Sequence, residues 1–218
     1  MRAAGASRNR RATNAIAMTL TDAQIERYSR QIIVPRVGGR GQERLLAARM
    51  LLAGDARDIE APLAYLVGAG VGAIGVRVAG GRGGFAGKIA AARELNADVS
   101  VTVADESQGR VDLALLIVGS DAARKVADEI VSYRDVRAWV VARLDAPGKI
   151  AVIPGGSTIA PSVDASMLAG VDRRSEAADF IAMLATAEAF KLIAGYVENP
   201  SRAIIEFDGY QTRVRVHP

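Results

Sequence analysis

The sequence predicts an α/β fold, in which helices cover both faces of a sheet whose strands run in mixed directions. Short runs rich in Val, Ile and Leu alternate with helical patterns through most of the 218 residues. This order is typical of parallel strands joined by helices. The last two strand-like runs are instead separated by Asp208-Gly209, a pair of residues typical of a tight antiparallel hairpin. A pair of helices is expected before the first strand, and residues 19–218 are expected to form one domain.

Recognisable signals mark the ends of the predicted helices. Thr21 and Gln24 form a capping box that starts the first helix, and Pro35 lies beyond its end. Gly195 follows the longest helix, as expected of a C-terminal cap. Pro62 is an awkward position inside another helix, because proline cannot donate a backbone hydrogen bond. Helices are predicted over residues 22–33, 42–48, 56–67, 85–95, 121–133 and 175–194.

The predicted strands are short apolar runs, rich in β-branched residues and bounded by glycine or polar residues. They are predicted over residues 50–53, 74–78, 99–103, 111–118, 136–142 and 149–153, with the hairpin strands over 203–207 and 211–216. A glycine-rich loop is expected over residues 80–84.

The composition excludes several kinds of chemistry. The chain has no Cys, which rules out a thiolate nucleophile, a disulfide and a zinc site built from Cys pairs. Its single His is His217, next to the last residue. A His-based triad or a two-His metal site would have to be built from the end of the chain. No metal site, and in particular no zinc, is expected.

The net charge of +4 comes from the first segment of the chain. There are 28 Lys and Arg against 24 Asp and Glu. The only charged residues before Asp22 are Arg2, Arg8, Arg10 and Arg11. The rest of the chain is therefore neutral, and a nucleic-acid partner is not expected.

Residues 1–18 are predicted to be a disordered basic tail, or a segment that precedes a true start at Met18. No apolar stretch approaches the roughly 20 residues that cross a bilayer. We therefore expect no membrane partner, and we expect a cytoplasmic location.

One glycine motif suggests a nucleotide cofactor. Gly70-Val-Gly72-Ala-Ile-Gly75 fits the GxGxxG pattern of dinucleotide-binding proteins, which would make the chain an NAD-binding oxidoreductase. That pattern binds a dinucleotide when a strand precedes it and a helix follows it. Here the β-branched run at 76–78 follows, so a helix, a turn and then a strand are predicted instead.

A different set of residues resembles the opening of the ThiF/MoeB/HesA family, the bacterial relatives of ubiquitin-activating enzymes. The matching segments, in order, are Arg27-Tyr28-Ser29-Arg30-Gln31, Gly41-Gln42-Glu43, the strand at 50–53 and Ala69-Gly70-Val71-Gly72. Further matches at Lys88, at 93–96 and at 190–196 extend the resemblance over about residues 20–216. The resemblance implies a Rossmann-like fold, a dimer, and ATP-dependent adenylylation of a small ubiquitin-like or sulfur-carrier protein.

The resemblance fails at the segment that binds ATP in this family. The family's GxGGxG falls on residues 54–59, where only Gly54 remains of its glycines. Such glycines let backbone N–H groups approach phosphates at a helix N-terminus. Asp55 and Asp58 would instead repel a triphosphate. The family's ribose-binding acids are replaced by Val78 and Gly80.

Other parts of the family's site are also lost. The acceptor Cys and the zinc-binding Cys pairs are absent, and the loop that carries them in the family has contracted to about residues 155–174. The segment that should carry a helix-borne Arg has shrunk to a glycine-rich stretch with Arg82.

A few positions still match ATP-site residues of the family. Arg30 matches an Arg that crosses the dimer interface to the ATP phosphates of the other subunit, and Arg27 is the second candidate for this contact. Lys88 matches a phosphate-contacting Lys. Asp121, with an offset of one residue, matches the Asp that binds Mg²⁺; it could equally be the first residue of a helix capped by Ser120. Without a working loop, Gly54, Lys88 and Asp121 are predicted to be vestigial.

These observations predict a non-catalytic subunit of a homodimer or heterodimer, with no catalytic residue and no cofactor of its own. In a heterodimer, Arg30 would complete the ATP site of an active homologue. Two alternatives stay open. The first is a residual adenylyltransferase that uses ATP and Mg²⁺ on a small ubiquitin-like or sulfur-carrier protein, and the second is an oxidoreductase with NAD at Gly70–Gly75.

Overall fold

The computed structural model describes residues 19–81, 85–104, 110–133, 135–154, 175–197, 200–207 and 211–217. Four features predicted from the sequence lie outside these residues: the tail at 1–18, Arg82, the contracted loop at 155–174 and the turn at 208–209.

The described residues form helices and strands in the predicted order. The helices are α1 (Asp22–Arg27), α2 (Ser29–Ile32), α3 (Gly38–Ala47), α4 (Ala56–Ala69), α5 (Ala86–Leu95), α6 (Asp121–Tyr133) and α7 (Ala178–Ala194). The strands are β1 (Arg49–Gly54), β2 (Ala73–Val78), β3 (Ser100–Val103), β4 (Val111–Val118), β5 (Val136–Arg143), β6 (Gly148–Ile153), β7 (Arg202–Phe207) and β8 (Thr212–His217).

All of these strands join one mixed sheet, which confirms the predicted fold class. The strand order is β3-β2-β1-β4-β5-β6-β7-β8. Strands β1 to β5 are parallel, and β6, β7 and β8 are added in antiparallel pairs. The chain builds the sheet outward from β1 in one direction and then returns to the other side of β1 with β4. Open α/β sheets bind their ligands in the crevice at such a reversal, beside the carboxyl ends of the strands.

Both faces of the sheet are buried. Leu52, Leu115 and Val140 belong to a core shared with helices α3, α4, α5 and α7. Their neighbours along the strands, which include Leu51 and Leu116, pack on the opposite face against α6. Successive side chains of a strand point to opposite faces. The central strands therefore carry apolar residues at consecutive positions through their middle rather than at alternate positions.

The prediction of one continuous helix over residues 22–33 is wrong at Tyr28. The backbone of Tyr28 (φ −99°, ψ 12°) separates α1 from α2. Its side chain is only 1% exposed, and its hydroxyl bonds to Asn96 and Asp98. The interruption turns the ring into the core. Periodicity along a helix does not reveal an interaction with residues so distant in the chain.

Two other helix starts differ from the prediction. Helix α3 begins at Gly38 rather than at residue 42, although glycine is a poor helix former. An added Cβ at Gly41 would lie 3.1 Å from the carbonyl oxygen of Ala194, so glycine lets α3 pack closely against the end of α7. Helix α7 begins at Ala178 rather than at 175, where the Ser175 hydroxyl accepts a local bond from the Ala177 N–H.

The predicted caps at Thr21 and Gly195 are confirmed. The Thr21 hydroxyl accepts a hydrogen bond from the Gln24 N–H at 3.3 Å, and the Gln24 side chain accepts one from the Thr21 N–H at 3.1 Å. Gly195 ends α7 in the left-handed conformation, with φ 67°.

Candidate functional site

The crevice at the reversal of strand order is the candidate site, and a side-chain bridge spans it. Strand β1 ends at Gly54 and leads through Asp55 into α4, while β4 leads through Ser120 into α6. The Ser120 hydroxyl donates a hydrogen bond to Asp55 Oδ1 at 2.9 Å. The same hydroxyl accepts a bond from the Ala123 N–H at 3.1 Å, which makes Ser120 the predicted cap of α6. The two helix N-termini that face this crevice are therefore linked by the chain itself.

Packing accounts for the one glycine retained at the end of β1. An added Cβ at Gly54 would lie 2.6 Å from the carbonyl oxygen of Ile117 and 2.8 Å from Cγ2 of Ile59. Strand β4 and helix α4 approach Gly54 too closely for any side chain. The presence of Gly54 is thus no sign of a bound nucleotide.

Carboxylates lie at the N-terminus of α4, where phosphates would approach. Asp55 occupies the N-cap position, and Asp58 lies in the first turn with only 5% of its surface exposed. Negative charge at this end of a helix is stabilised by the helix dipole. The favourable position of an anion is therefore taken by the chain's own side chains.

An ion pair that was not predicted lies at the carboxyl end of β5, on the same edge of the sheet. Arg143 is only 8% exposed. It donates from Nε to Asp145 Oδ1 at 3.2 Å and from Nη2 to Asp145 Oδ2. Two parallel bonds of this kind are the strongest arrangement between Arg and a carboxylate. The signal in the sequence was a charged residue at the end of a long apolar run.

Lys88 and Asp121, predicted to be vestigial, each have a partner within the chain. Lys88 Nζ lies 2.5 Å from Glu60 Oε1 and joins α5 to α4. Asp121 is the exposed first residue of α6, and its carboxylate lies 3.6 Å from Nε of Arg124. Both arrangements are ordinary for surface ion pairs, which contribute little to stability.

The two candidate arginines differ in their surroundings. Arg27 donates from Nη1 to Asn96 Oδ1 at 2.7 Å, and its Nε lies 3.7 Å from Asp98 Oδ2. Arg30 is exposed on α2. Within the part of the chain that the structure describes, Arg30 makes no hydrogen bond or ion pair through its side chain. Arg27 is therefore engaged inside the chain, whereas the Arg30 side chain can reach another molecule.

Three segments that resemble the family meet at Tyr28. The Tyr28 hydroxyl donates to Asp98 Oδ2 at 3.0 Å and accepts from Asn96 Nδ2 at 2.9 Å. Asn96 Nδ2 also donates to the carbonyl of Val67 at 2.8 Å. Burial raises the pKa of the Tyr28 hydroxyl above its usual value. An added Cβ at Gly70 would lie 2.7 Å from the Tyr28 ring. The sequence identified these segments separately, and the fold joins them in one cluster.

The glycines at 70–75 lie in the reverse order to a dinucleotide site. Helix α4 ends before Gly70, which is left-handed with φ 83°, and strand β2 starts at Ala73. The dinucleotide pattern requires a strand before the glycines and a helix after them. An added Cβ at Gly72 would lie 1.8 Å from the carbonyl oxygen of Leu46. Close packing accounts for Gly70 and Gly72, and the interpretation as an NAD site is not retained.

Solved structures share this fold. A crystal structure of E. coli MccB with succinimide superposes with a TM-score of 0.62, covering 88% of this chain and 71% of that one at 14% identity. A crystal structure of PaaA gives a TM-score of 0.58, covering 94% and 76% at 16% identity. At such low identity the likeness establishes the fold alone.

Relatives with higher identity match a shorter segment, and no family model matches the chain. A segment of 60 residues, 27% of the chain, is 48% identical to a sulfur carrier protein adenylyltransferase of Thermus thermophilus and covers 22% of it. A segment of 61 residues is 48% identical to the probable adenylyltransferase/sulfurtransferase MoeZ of Mycobacterium tuberculosis and covers 15% of it. A segment of 58 residues is 52% identical to the adenylyltransferase and sulfurtransferase uba4 of Pyricularia oryzae and covers 12% of it.

The relatives and the shared fold together support the predicted resemblance to the ThiF/MoeB family. The match of this chain spans less than a quarter of the length of each of these three curated relatives. No three His, Asp or Glu side chains of the described residues are grouped so that they could hold a metal ion. The same residues include no helix with both the length and the apolar character needed to span a bilayer.

The hydrogen-bonded bridge between Ser120 and Asp55 can be tested by mutation. Ser120→Ala is expected to lower the free energy of unfolding by about 1–2 kcal/mol, because it removes both the helix cap and the bond to Asp55. Denaturant unfolding followed by circular dichroism measures this loss.

Ser132→Ala is the matched control on the same helix. The exposed Ser132 hydroxyl donates to the carbonyl of Asp128 at 2.7 Å, and its removal is expected to change the free energy of unfolding by less than about 0.5 kcal/mol. Equal losses in the two variants would show that the bridge contributes nothing.

Proposed function

We propose that this chain is a non-catalytic subunit of the ThiF/MoeB family, which pairs with itself or with an active homologue. The observation that carries the proposal is the start of α4, where only Gly54 of the family's glycines remains and where the carboxylates of Asp55 and Asp58 lie. The hydrogen bond between Ser120 and Asp55 spans the same crevice. A nucleotide would have to displace this arrangement.

The relative sizes of two electrostatic effects at the start of α4 support the loss of ATP binding. A helix N-terminus attracts an anion by about 0.3–1 kcal/mol. Two like charges about 4 Å apart repel each other by about 4 kcal/mol at an effective dielectric constant of about 20. The carboxylates of Asp55 and Asp58 lie at this same N-terminus. The repulsion of a triphosphate therefore outweighs the attraction of the helix.

Arg30 is proposed to act in trans. It is exposed on α2 and has no side-chain partner among the residues that the structure describes. An arginine carries a fixed positive charge and can donate two parallel hydrogen bonds to a phosphate. In a pair with an active homologue, Arg30 would contact the ATP phosphates bound by the other subunit.

A small carrier protein is the proposed third component. One relative, over a segment of 60 residues, is named as an adenylyltransferase of a sulfur carrier protein. The active subunit of the pair, rather than this chain, would adenylylate such a carrier or a ubiquitin-like protein.

ATP–pyrophosphate exchange tests the proposal. The purified chain alone is expected to show no exchange above background, because its crevice repels the triphosphate. Robust exchange by the chain alone would contradict the proposal and support the residual adenylyltransferase instead.

Exchange by the pair tests the role of Arg30. The active homologue is to be obtained by copurification with this chain from the source organism. Arg30→Ala is expected to lower exchange by the mixed pair about 100-fold, as does the loss of one group that stabilises transition-state charge. Arg213→Ala, at an exposed position on β8, is the control and should leave exchange unchanged. A strictly monomeric chain without any homologous partner would refute the pairing.

A further inference from the structure

A groove rich in arginine lies apart from the crevice. It consists of two adjoining cavities of about 530 and 580 Å³ that share Arg44, Gly195 and Val197 in their walls. Arg36 and Arg40 line the first cavity, and Arg137 lines the second. We name these two cavities together the arginine groove.

The arginine groove lies on the opposite edge of the sheet from the crevice. Its second cavity reaches Leu113 and Ala138, which are near the starts of the parallel strands β4 and β5. The crevice lies beyond the carboxyl ends of the same strands. A ligand in the groove would therefore leave the crevice free, and its binding does not depend on the function proposed above.

Positive charge in the groove is largely uncompensated. Arg36 and Arg40 are exposed and have no ion pair or side-chain hydrogen bond among the residues that the structure describes. Arg44 donates to the neutral carbonyl of Ala194 at 3.3 Å. Arg137 lies 3.7 Å from Asp112, whose carboxylate is the one acidic group among the described lining residues. The neutral body of the chain thus holds a local excess of positive charge.

Arg36 adopts a backbone conformation that favours glycine. Its φ is 73°, in the left-handed region that is strained for a residue with a Cβ. Glycines stand close by at 38, 39 and 41, yet this position carries an arginine. Strained backbone of this kind is concentrated at ligand-binding and active sites.

The remaining lining defines the chemistry of the ligand. Leu113, Leu192 and Val197 give the second cavity an apolar wall. The described lining residues include no Phe, Tyr or Trp on which bases could stack, and such stacking is the main contact with single-stranded nucleic acids. We propose that the arginine groove binds a peptide segment of a partner protein that carries both acidic and aliphatic side chains.

Fluorescence polarisation of the full chain tests this proposal. The probe is a short fluorescein-labelled peptide in which Glu and Leu alternate, and the same peptide with Lys in place of Glu is its counterpart. Wild type is expected to bind the Glu peptide and not the Lys peptide. The double variant Arg36→Glu, Arg40→Glu is expected to weaken binding about tenfold or more, because two attractive contacts become repulsive.

A second double variant separates the groove from overall charge. Arg57→Glu with Lys125→Glu changes the net charge by the same amount at exposed positions outside the groove, and it should alter affinity less than about threefold, as expected of distant surface charges. Equal weakening by both double variants would overturn the proposal. So would tighter binding of single-stranded oligothymidine than of the Glu peptide, which would assign the groove to nucleic acid.

The variant Arg36→Gly distinguishes a loss of binding caused by the missing side chain from one caused by misfolding. Glycine removes the backbone strain, so this variant is expected to be as stable as wild type or more stable, and yet to bind the Glu peptide less well. Undiminished binding by Arg36→Gly would refute the role of this side chain.

Discussion

Gly72→Ala is expected to destabilise the protein by about 3 kcal/mol or more, the upper range for a forced steric overlap in a packed interior. The added Cβ would lie 1.8 Å from the carbonyl oxygen of Leu46 and 2.8 Å from its carbonyl carbon. These are backbone atoms, so no change of side-chain rotamer can relieve the overlap. Gly72 also bonds through its N–H to Leu45 O and through its carbonyl to Ser100 N–H, each at 2.9 Å. Denaturant unfolding measures the loss.

Gly68→Ala is the matched control, four residues earlier on the exposed face of α4. An added Cβ there meets no atom within 4 Å, and alanine is the better helix former, so this variant is expected to gain about 0.5–1 kcal/mol. If Gly72→Ala unfolds at the same denaturant concentration as wild type, the packing explanation of Gly72 fails. A cofactor role for the 70–75 glycines would then have to be reconsidered.

Asn96→Ala is expected to cost about 2–4 kcal/mol, because it leaves several buried partners without hydrogen bonds. Asn96 Nδ2 donates hydrogen bonds to the Tyr28 hydroxyl and to the carbonyl of Val67. Its Oδ1 accepts from Arg27 at 2.7 Å and from the N–H of Asp98 at 3.1 Å. Leu95→Ala, at the preceding position and 58% exposed, should change the free energy of unfolding by less than about 0.5 kcal/mol. A similarly small change for Asn96→Ala would show that the hydrogen bonds among Tyr28, Asn96 and Asp98 do not stabilise the packing of α1 and α2 on the rest of the protein.

The same cluster predicts a dependence on pH. Burial raises the pKa of Tyr28 above its ordinary value of 10.0, so the folded state favours the neutral hydroxyl. The stabilisation is fully present below about pH 10, the unfolded pKa, and is lost as the pH rises through the higher folded pKa. Compared with Tyr28→Phe, the wild-type protein should therefore lose additional stability only in that alkaline range. Parallel pH profiles for the two proteins would contradict this assignment.

Local signals in the sequence were enough for the fold class and for most elements. The capping box at Thr21 and the cap at Gly195 depend on bonds within a few residues, and both are present. The loss of the phosphate-binding glycines after Gly54, and the carboxylates of Asp55 and Asp58 in the same segment, were also readable directly. The hydrogen-bond partners of Asp55 and Asp58 could not be predicted from the sequence. The bond from Ser120 to Asp55 joins positions 65 residues apart, and no pattern in the sequence indicates it.

The sequence by itself determined the order and type of the elements and the resemblance to the ThiF/MoeB family, because periodicity, caps and short motifs are local properties. Only the tertiary structure decided what the motifs do. Gly72 meets Leu46, and Tyr28 meets Asn96, because strand pairing brings distant segments within van der Waals contact. The arginine groove was likewise hidden, since Arg36 and Arg137 line adjoining cavities only after the sheet has formed. Net charge depends only on the number of charged residues, whereas ligand binding depends on where the fold places those residues.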